Sequence, residues 1–290
     1  MLSPRTVLNT INNLLLRPLN LHLDTLTSEK FEIERLKDLD QKGHFESPGF
    51  NLPPGFFSNL SQKLLDDIKL YQHEFEKLVA PNLNQVKYTY NNNYFTSPDT
   101  EVLYTIIRTN NPETVMEIGC GNSTKIVRQA IIDGKLNTKL VSIDPSPRTE
   151  IVELVDNFYP KQLESLSEQE MNLFSSLKAG DILFIDSSHE LKSGNDVVLL
   201  YTKIIPELKP GVLIHIHDIF LPYEYPRDWV VEQRWGWNEQ YLVQCILTIS
   251  NSFEVLWPGY FLQRSRSDFA DHFSHLHNRL AQSLWLRKII

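Results

Sequence analysis

The sequence predicts an α/β fold built on a mostly parallel sheet. Three observations lead there. From residue 114 onward, short apolar runs bounded by Gly, Pro and Asp alternate with helical stretches, the order expected of βαβ units. One run, Thr114-Val115-Met116-Glu117-Ile118, breaks at Gly119-Cys120-Gly121 and leads into Asn122 and Ser123, both good helix caps. A chain of 290 residues, 41% hydrophobic and 22% charged, can bury one full core plus an added segment.

Composition narrows the function classes. A net charge of −8 argues against a nucleic-acid backbone as partner. Two cysteines, Cys120 and Cys245, exclude a disulfide framework and a cysteine-rich zinc site, and a reducing, cytoplasmic setting fits. No apolar run reaches the ~18 residues of a membrane span. The N-terminus lacks the basic and apolar regions of a signal peptide. No internal repeat or low-complexity tract is seen.

Residues 1–110 are expected to form a helical N-terminal extension, and 111–290 the sheet domain. Apolar residues at 7, 8, 11, 14 and 15 mark a helix that Pro18 ends. It suits packing or oligomer formation better than a membrane surface, since only Arg5 and Arg17 flank it. A second, charged helix is predicted at 31–39. A loop follows at 43–55. A long helix is predicted at 58–80, stopped by Pro81. The aromatic, Asn-rich stretch 88–95 either covers a ligand pocket or is a surface loop capping the sheet. Ser97-Pro98-Asp99-Thr100 opens a helix through Arg108.

Strands are then predicted at 115–118, 139–143, 158–163, 181–186, 212–219 and 253–257, with 283–290 β-prone enough for another. Helices are predicted at 123–133, 167–177, 195–205, 238–250 and 267–280. Between the fifth strand and the helix at 238 lies a loop rich in Pro, Tyr and Trp.

The strand, glycine turn and helix at 114–124 form a nucleotide cradle. Glycines let the backbone turn sharply and approach a ligand. The helix N-terminus beyond presents free N–H groups. A dinucleotide fingerprint wants a third Gly or Ala where this chain has Thr124. Glu117-x-Gly119-x-Gly121 instead resembles motif I of class I S-adenosylmethionine (SAM) methyltransferases. SAM has no pyrophosphate, and an acid near the turn can hold its ammonium group. The resemblance implies a Rossmann-like seven-stranded sheet, helices on both faces, with the last strand antiparallel. It also implies a SAM-dependent methyltransferase, with Glu117, Gly119, Gly121, Asn122, Ser123 and Asp144 around the cofactor. Asp144 ends the second strand, where an acid suits the ribose hydroxyls. The alternative is a turn cap before Pro145.

The fourth strand ends Asp186-Ser187-Ser188-His189 and the fifth His215-Ile216-His217-Asp218. These ends, within 111–257, resemble a branch containing antibiotic-pathway sugar O-methyltransferases and cephalosporin-hydroxylase-like proteins. In those relatives the aspartate after strand four and an acidic pair after strand five bind magnesium, and the histidine three residues after the first aspartate is the base. Carried over, Asp186 and Asp218 become metal ligands and His189 the base, with Asp186 and Asp218 supporting it. This chain departs at His217, where a carboxylate is usual. Magnesium prefers oxygen ligands, so the departure weakens magnesium or points toward manganese, iron or zinc. His215 reads as a core histidine. The loop 221–229, with Arg234, Trp235, Trp237, Asn238 and Glu239, suits a small-molecule or sugar acceptor, a dimer contact or packing on its own sheet.

The expected function is O-methylation of a hydroxyl on a small or carbohydrate-containing acceptor. Three rivals stand beside it. A nicotinamide-dependent oxidoreductase would bind NADH. A non-catalytic SAM-binding protein would tolerate loss of His189. An iron hydroxylase would consume oxygen.

Overall fold

Among the described residues seven short strands pair into one sheet in the order β3-β2-β1-β4-β5-β7-β6. They are β1 (Thr114–Ile118), β2 (Lys139–Ile143), β3 (Asn157–Tyr159), β4 (Ile182–Ile185), β5 (Leu213–Ile216), β6 (Phe253–Pro258) and β7 (Leu284–Lys288). The structure is a computed structural model, and it describes residues 3–21, 23, 27–79 and 87–290. β1 pairs in parallel with both β2 and β4, and β5 continues from β4 in parallel. β7 runs antiparallel between β5 and β6.

The central strands are apolar because both of their faces are covered. Ile182, Leu183, Phe184 and Ile185 of β4 are all fully buried. Each such side chain contributes roughly 1.5–3 kcal/mol relative to exposure. Helix α5 (Asp99–Asn110) is buried along every residue from Asp99 to Ile107, which makes it a core helix rather than a surface one. It packs on α6 (Asn122–Gly134), the helix that follows the glycine turn. The chain order reverses around β1, with β2 on one side and β4 on the other. This is the switch point where open α/β sheets bind ligands.

Two compact units divide the chain. Met1–Ser47 and Pro226–Arg234 form one, and Pro48–Tyr225 with Trp235–Ile290 form the other. The expected extension, 1–110, is thus shared between them. In the smaller unit, α1 (Pro4–Ile11) runs into a π-helical turn at Asn12–Leu16 and a 3-10 turn at Arg17–Leu19. Pro18 therefore sits inside the 3-10 turn instead of ending a regular helix. Leu14 and Leu15 of the predicted stripe are exposed. Helix α2 (Thr27–Gln41) carries Asp40, which accepts two hydrogen bonds from Arg227, both at 2.6 Å.

Several predicted elements differ in the larger unit. The helix expected over 58–80 is two, α3 (Asn59–Lys69) and α4 (Gln72–Lys77). The break falls at Tyr71, whose ring is held edge-on to Tyr104 at 5.6 Å and under the Arg108 guanidinium at 4.9 Å. Tertiary packing overrides the helical periodicity there. The expected stop at Pro81 lies outside the described residues. The third strand is shorter and earlier than expected. Pro160 cannot donate to the ladder, and Leu163–Ser165 turns as 3-10 helix.

Helix α7 (Glu168–Ser176) follows, capped by Ser167. The helix expected at 195–205 is α8 (Asp196–Leu199), a π-helical turn at Leu200–Ile204, and α9 (Ile205–Glu207). Helix α10 (Glu239–Ile249) lies one residue inside its predicted limits. The tail helix expected at 267–280 is absent. A helix not expected, α11 (Gly259–Ser265), precedes a 3-10 turn at Phe269–His272. Phe269, Phe273 and Leu276 are buried, so their helix-like spacing is satisfied by turns packed around Trp257.

Candidate active site

The glycine turn is where local sequence most tightly fixes geometry. Gly119 has φ of +77°, and a Cβ there would lie 1.9 Å from the Asp186 carbonyl oxygen. Only glycine lets the end of β4 approach the end of β1 so closely. Nothing lies within 4 Å of a Cβ built on Gly121, so that side of the turn faces open space. The cap of α6 differs from expectation. Gly121 is the N-cap and Asn122 the first helical residue, because the Thr124 hydroxyl takes the Gly121 N–H at 2.9 Å. Thr124, which departs from a dinucleotide fingerprint, thus closes the turn. Ser123 is buried in the first turn of the helix.

Glu117 is fully buried in β1. Its Oε2 accepts from the Ser142 hydroxyl at 2.9 Å, and its Oε1 has no hydrogen-bond partner. Burial pushes its carboxyl up to about 7. Asp144 turns back to the glycine turn. Its Oδ2 accepts from the Cys120 N–H at 2.9 Å and its Oδ1 from the Ser146 N–H at 2.7 Å. The turn-cap role that competed with ribose binding is therefore present. Oδ2 also accepts from the Cys120 thiol at 3.5 Å, and Oδ1 keeps capacity for a second hydrogen bond.

The stretch 88–95 reaches this turn. Asn92 accepts from Phe95 N–H at 2.9 Å, holding the loop closed, and Asn122 donates to the same oxygen at 3.3 Å. Tyr88, buried, donates to the Phe95 carbonyl at 2.8 Å. Arg148, beyond the end of β2, lies over the Tyr94 ring at 5.0 Å.

The ends of β4 and β5 bring four predicted residues together. His189 Nε2 lies 3.2 Å from Asp186 Oδ1 and 3.4 Å from Asp218 Oδ2. His217 Nδ1 lies 3.4 Å from Asp218 Oδ2 and 3.8 Å from Asp186 Oδ1. His189 and Asp218 both have positive φ, 60° and 56°, uncommon for residues bearing a Cβ. Such strain clusters at functional sites. His215 stays out of the cluster. It stacks on Phe184 at 4.0 Å and bonds Ser283 Oγ at 2.8 Å through Nε2, and burial holds it well below the ordinary histidine range. It is the core histidine the sequence suggested.

Three further residues hold this cluster, in roles the sequence did not assign to them. Glu239 Oε2 lies 2.9 Å from His189 Nδ1. Gln282 donates to Asp218 Oδ1 at 2.6 Å. Asp99, buried, lies 3.9 Å from His217 Nε2 and accepts from the Gln282 and Ser283 N–H groups at 3.0 and 3.1 Å. In the sequence Glu239 is grouped with the aromatic loop as an acceptor or packing residue, Asp99 belongs to a helix opening, and Gln282 carries no signal.

Electrostatics follow from the crowding of carboxylates. Burial alone would lower the His217 imidazole, but Asp218 and Asp186 outweigh it and hold it up at about 9. Burial likewise opposes the charged form of His189, and Asp186 and Glu239 raise it well above the ordinary value. Burial pushes Asp186 up, and His217 and His189 bring it below the usual carboxylate range.

These shifts predict the pH dependence of stability. A histidine whose pKa is raised on folding contributes stability that is complete below its unfolded value and is lost as pH rises through the folded value. For His217 that window runs from about 6.5 to about 9, with an effect on the order of 3 kcal/mol. Glu117 and Glu101, both raised to about 7 by burial, lose stability on the same side, between their unfolded value and about 7. Metal-free protein is therefore expected to have a lower denaturant midpoint at pH 9 than at pH 6. A higher midpoint at pH 9 would contradict the cluster's charge state.

The sheet order, with β7 antiparallel between β5 and β6, is the class I methyltransferase arrangement that the sequence resemblance implied. Residues 116–219 match the family described as a methyltransferase domain, spanning β1 to the end of β5. No curated protein matches the chain. Among solved structures it is similar to the O-methyltransferase TomG of Streptomyces achromogenes, solved with SAM, at 13% identity and a TM-score of 0.39, over 78% of this chain and 89% of that one. It is similar to a Bacillus cereus O-methyltransferase, solved with S-adenosylhomocysteine (SAH), at 12% identity and a TM-score of 0.39, over 79% and 91%. The Podospora anserina methyltransferase PaMTH1 matches at 13% identity and 0.40, over 93% and 100%. No helix among the described residues is long and apolar enough to cross a membrane.

Proposed function

We propose that the chain is a SAM-dependent O-methyltransferase acting on a hydroxyl of a small or carbohydrate-containing acceptor, with His189 as base. The observation that carries this reading is the contact between Gly119 and the Asp186 carbonyl, which sets the glycine turn directly against the carboxylate and imidazole cluster. A cofactor on the turn would have its reactive end beside groups able to take a hydroxyl proton. Glu117, Gly119, Gly121, Asn122, Ser123 and Asp144 are the proposed cofactor residues. Asp144 serves the ribose in addition to its turn. A reducing, cytoplasmic setting belongs to the same reading.

A divalent metal fits the residues present. Asp186, His217 and Asp218 each offer one ligand atom, all within 4.8 Å of one another. To serve as a ligand His217 would give up the proton that Asp218 and Asp186 favour on its ring, the metal replacing that proton beside the same carboxylates. Two oxygens and one nitrogen suit manganese, iron or zinc better than magnesium. A metal there would lower the pKa of an acceptor hydroxyl. Manganese is expected to raise the melting temperature of chelator-treated protein and to lose that effect in His217→Ala. Equal stabilisation of both proteins would remove His217 from the ligand set.

To act as base, His189 must first give up its proton, which its carboxylate neighbours oppose. Transfer should therefore quicken as pH rises above neutrality. The test is transfer of a labelled methyl from SAM to a panel of hydroxylated sugars and phenols across that range. Labelled product formed faster at alkaline pH supports the reading. Transfer that falls above pH 7 would remove His189 as base.

A further inference from the structure

We infer that Tyr94 and Arg148 form a clasp over the cofactor cleft, and that its opening sets how fast cofactor enters and leaves. This rests on the proposed placing of cofactor along the glycine turn. The loop 88–95 crosses that turn from end to end. At one end Phe95, buried, has its ring 5.4 Å from that of His217, beside the carboxylate cluster. In the middle the side-chain amide of Asn122, the first residue of α6, donates to Asn92 Oδ1 at 3.3 Å. At the other end Arg148 Cζ lies over the Tyr94 ring, 5.0 Å from its centroid. Arg148 follows Asp144-Pro145-Ser146-Pro147 on the loop that leaves β2. The contacts thus run from the reacting groups to the strand end proposed for the ribose.

The loop is braced from within. Asn92 Oδ1 also accepts from the Tyr94 N–H at 3.0 Å and the Phe95 N–H at 2.9 Å. Its Nδ2 donates to the Thr89 and Phe95 carbonyls at 2.8 and 3.0 Å. Buried Tyr88 bonds the Phe95 carbonyl at 2.8 Å and lies 2.6 Å from Thr100 Oγ1. Arg279 reaches the Asn92 carbonyl and Asn93 Oδ1, both at 3.4 Å. The clasp itself is different in kind. Tyr94 is 60% exposed and Arg148 is exposed as well, so core packing locks neither side chain. Exposed side chains change rotamer in picoseconds to nanoseconds. Among the described residues Arg148 makes no ion pair, so the ring face is what draws its charge. The braced backbone is a fixed roof, and the Tyr94–Arg148 pair is the part that can open.

The test is stopped-flow measurement of SAH association and dissociation for the full chain, for Tyr94→Leu, for Arg148→Met and for the double variant. Each single change should raise both rate constants about twofold to fivefold, the worth of an exposed cation–π contact. The double variant should go no further, because the two residues act as one. The dissociation constant should barely move, since the clasp is made with or without cofactor. Tyr94→Phe, which keeps the ring, should keep the wild-type rates. Unchanged rates in both single variants would overturn the inference. So would faster dissociation with unchanged association, the mark of a simple contact to the ligand. A wild type that binds no SAH would overturn the methyltransferase reading and the clasp with it, an outcome distinct from binding at unaltered rates. The pairing is also read without ligand, from the ring-current displacement of the Arg148 side-chain protons in proton NMR. The displacement should persist in Tyr94→Phe and vanish in Tyr94→Leu. Its absence from the wild type would overturn the pairing itself.

Discussion

Replacing Gly119 by alanine is expected to destabilise the chain and abolish cofactor binding. The added Cβ would sit 1.9 Å from the Asp186 carbonyl oxygen and 2.9 Å from its carbon, at a φ of +77°. Neither backbone can give way freely. The Gly119 N–H is bonded to the Ile143 carbonyl at 3.0 Å, and the Asp186 N–H to the Ile118 carbonyl at 2.9 Å. Left-handed strain costs roughly 1–2 kcal/mol and overpacking roughly 1–3 kcal/mol, so a loss of about 2–5 kcal/mol is expected in denaturant unfolding. Gly121→Ala is the contrast. Nothing stands within 4 Å of its Cβ, so stability should change little while SAH binding weakens. Equal stability of Gly119→Ala and wild type would show that β4 does not press on the turn. Wild-type SAH affinity in Gly121→Ala would place the ligand elsewhere.

His189→Ala is the second large effect. As base, its loss should lower transfer by about a hundredfold to ten-thousandfold. It should also cost stability. Glu239 is fully buried with His189 Nδ1 2.9 Å from it, and Asp186 and Asp218 lie on the other side of the same ring. Removing one partner of a buried pair costs roughly 3–5 kcal/mol because the remaining charge is left unpaired. A melting curve and a labelled-methyl assay on the same preparation separate the two effects. Full transfer activity in a folded His189→Ala protein would make the residue a structural cation only.

Local chemistry decides how much of this was legible in the sequence. The Gly119 turn and the strands on either side of it are set by neighbours in the chain, and they fall within a residue or so of their predicted places. Asp186, His189, His217 and Asp218 were found because strand ends in such a sheet face one cleft, a rule that needs only the order of elements. The roles of Glu239, Asp99 and Gln282 at the cluster are not legible in the sequence because they come from distant contacts. Asp99 meets Gln282 across 183 residues, and Asp218 meets Gln282 across 64. The failures of element assignment have the same origin. Tyr71 breaks a periodic helix to pack on Tyr104, and the tail's apolar spacing is met by 3-10 turns over Trp257. At Asp144 the sequence left two roles open. Its hydrogen bonds to Cys120 and Ser146 make the turn cap real, and the ribose contact remains the proposed addition.

The most direct test of the central claim is calorimetric titration of SAH into chelator-treated wild type and Asp144→Ala. One-site binding to the wild type is predicted, weakened about tenfold to a hundredfold by the loss of charge-assisted ribose contacts in Asp144→Ala. No heat of binding from wild-type protein that melts cooperatively, with NADH binding in its place, would contradict the methyltransferase reading.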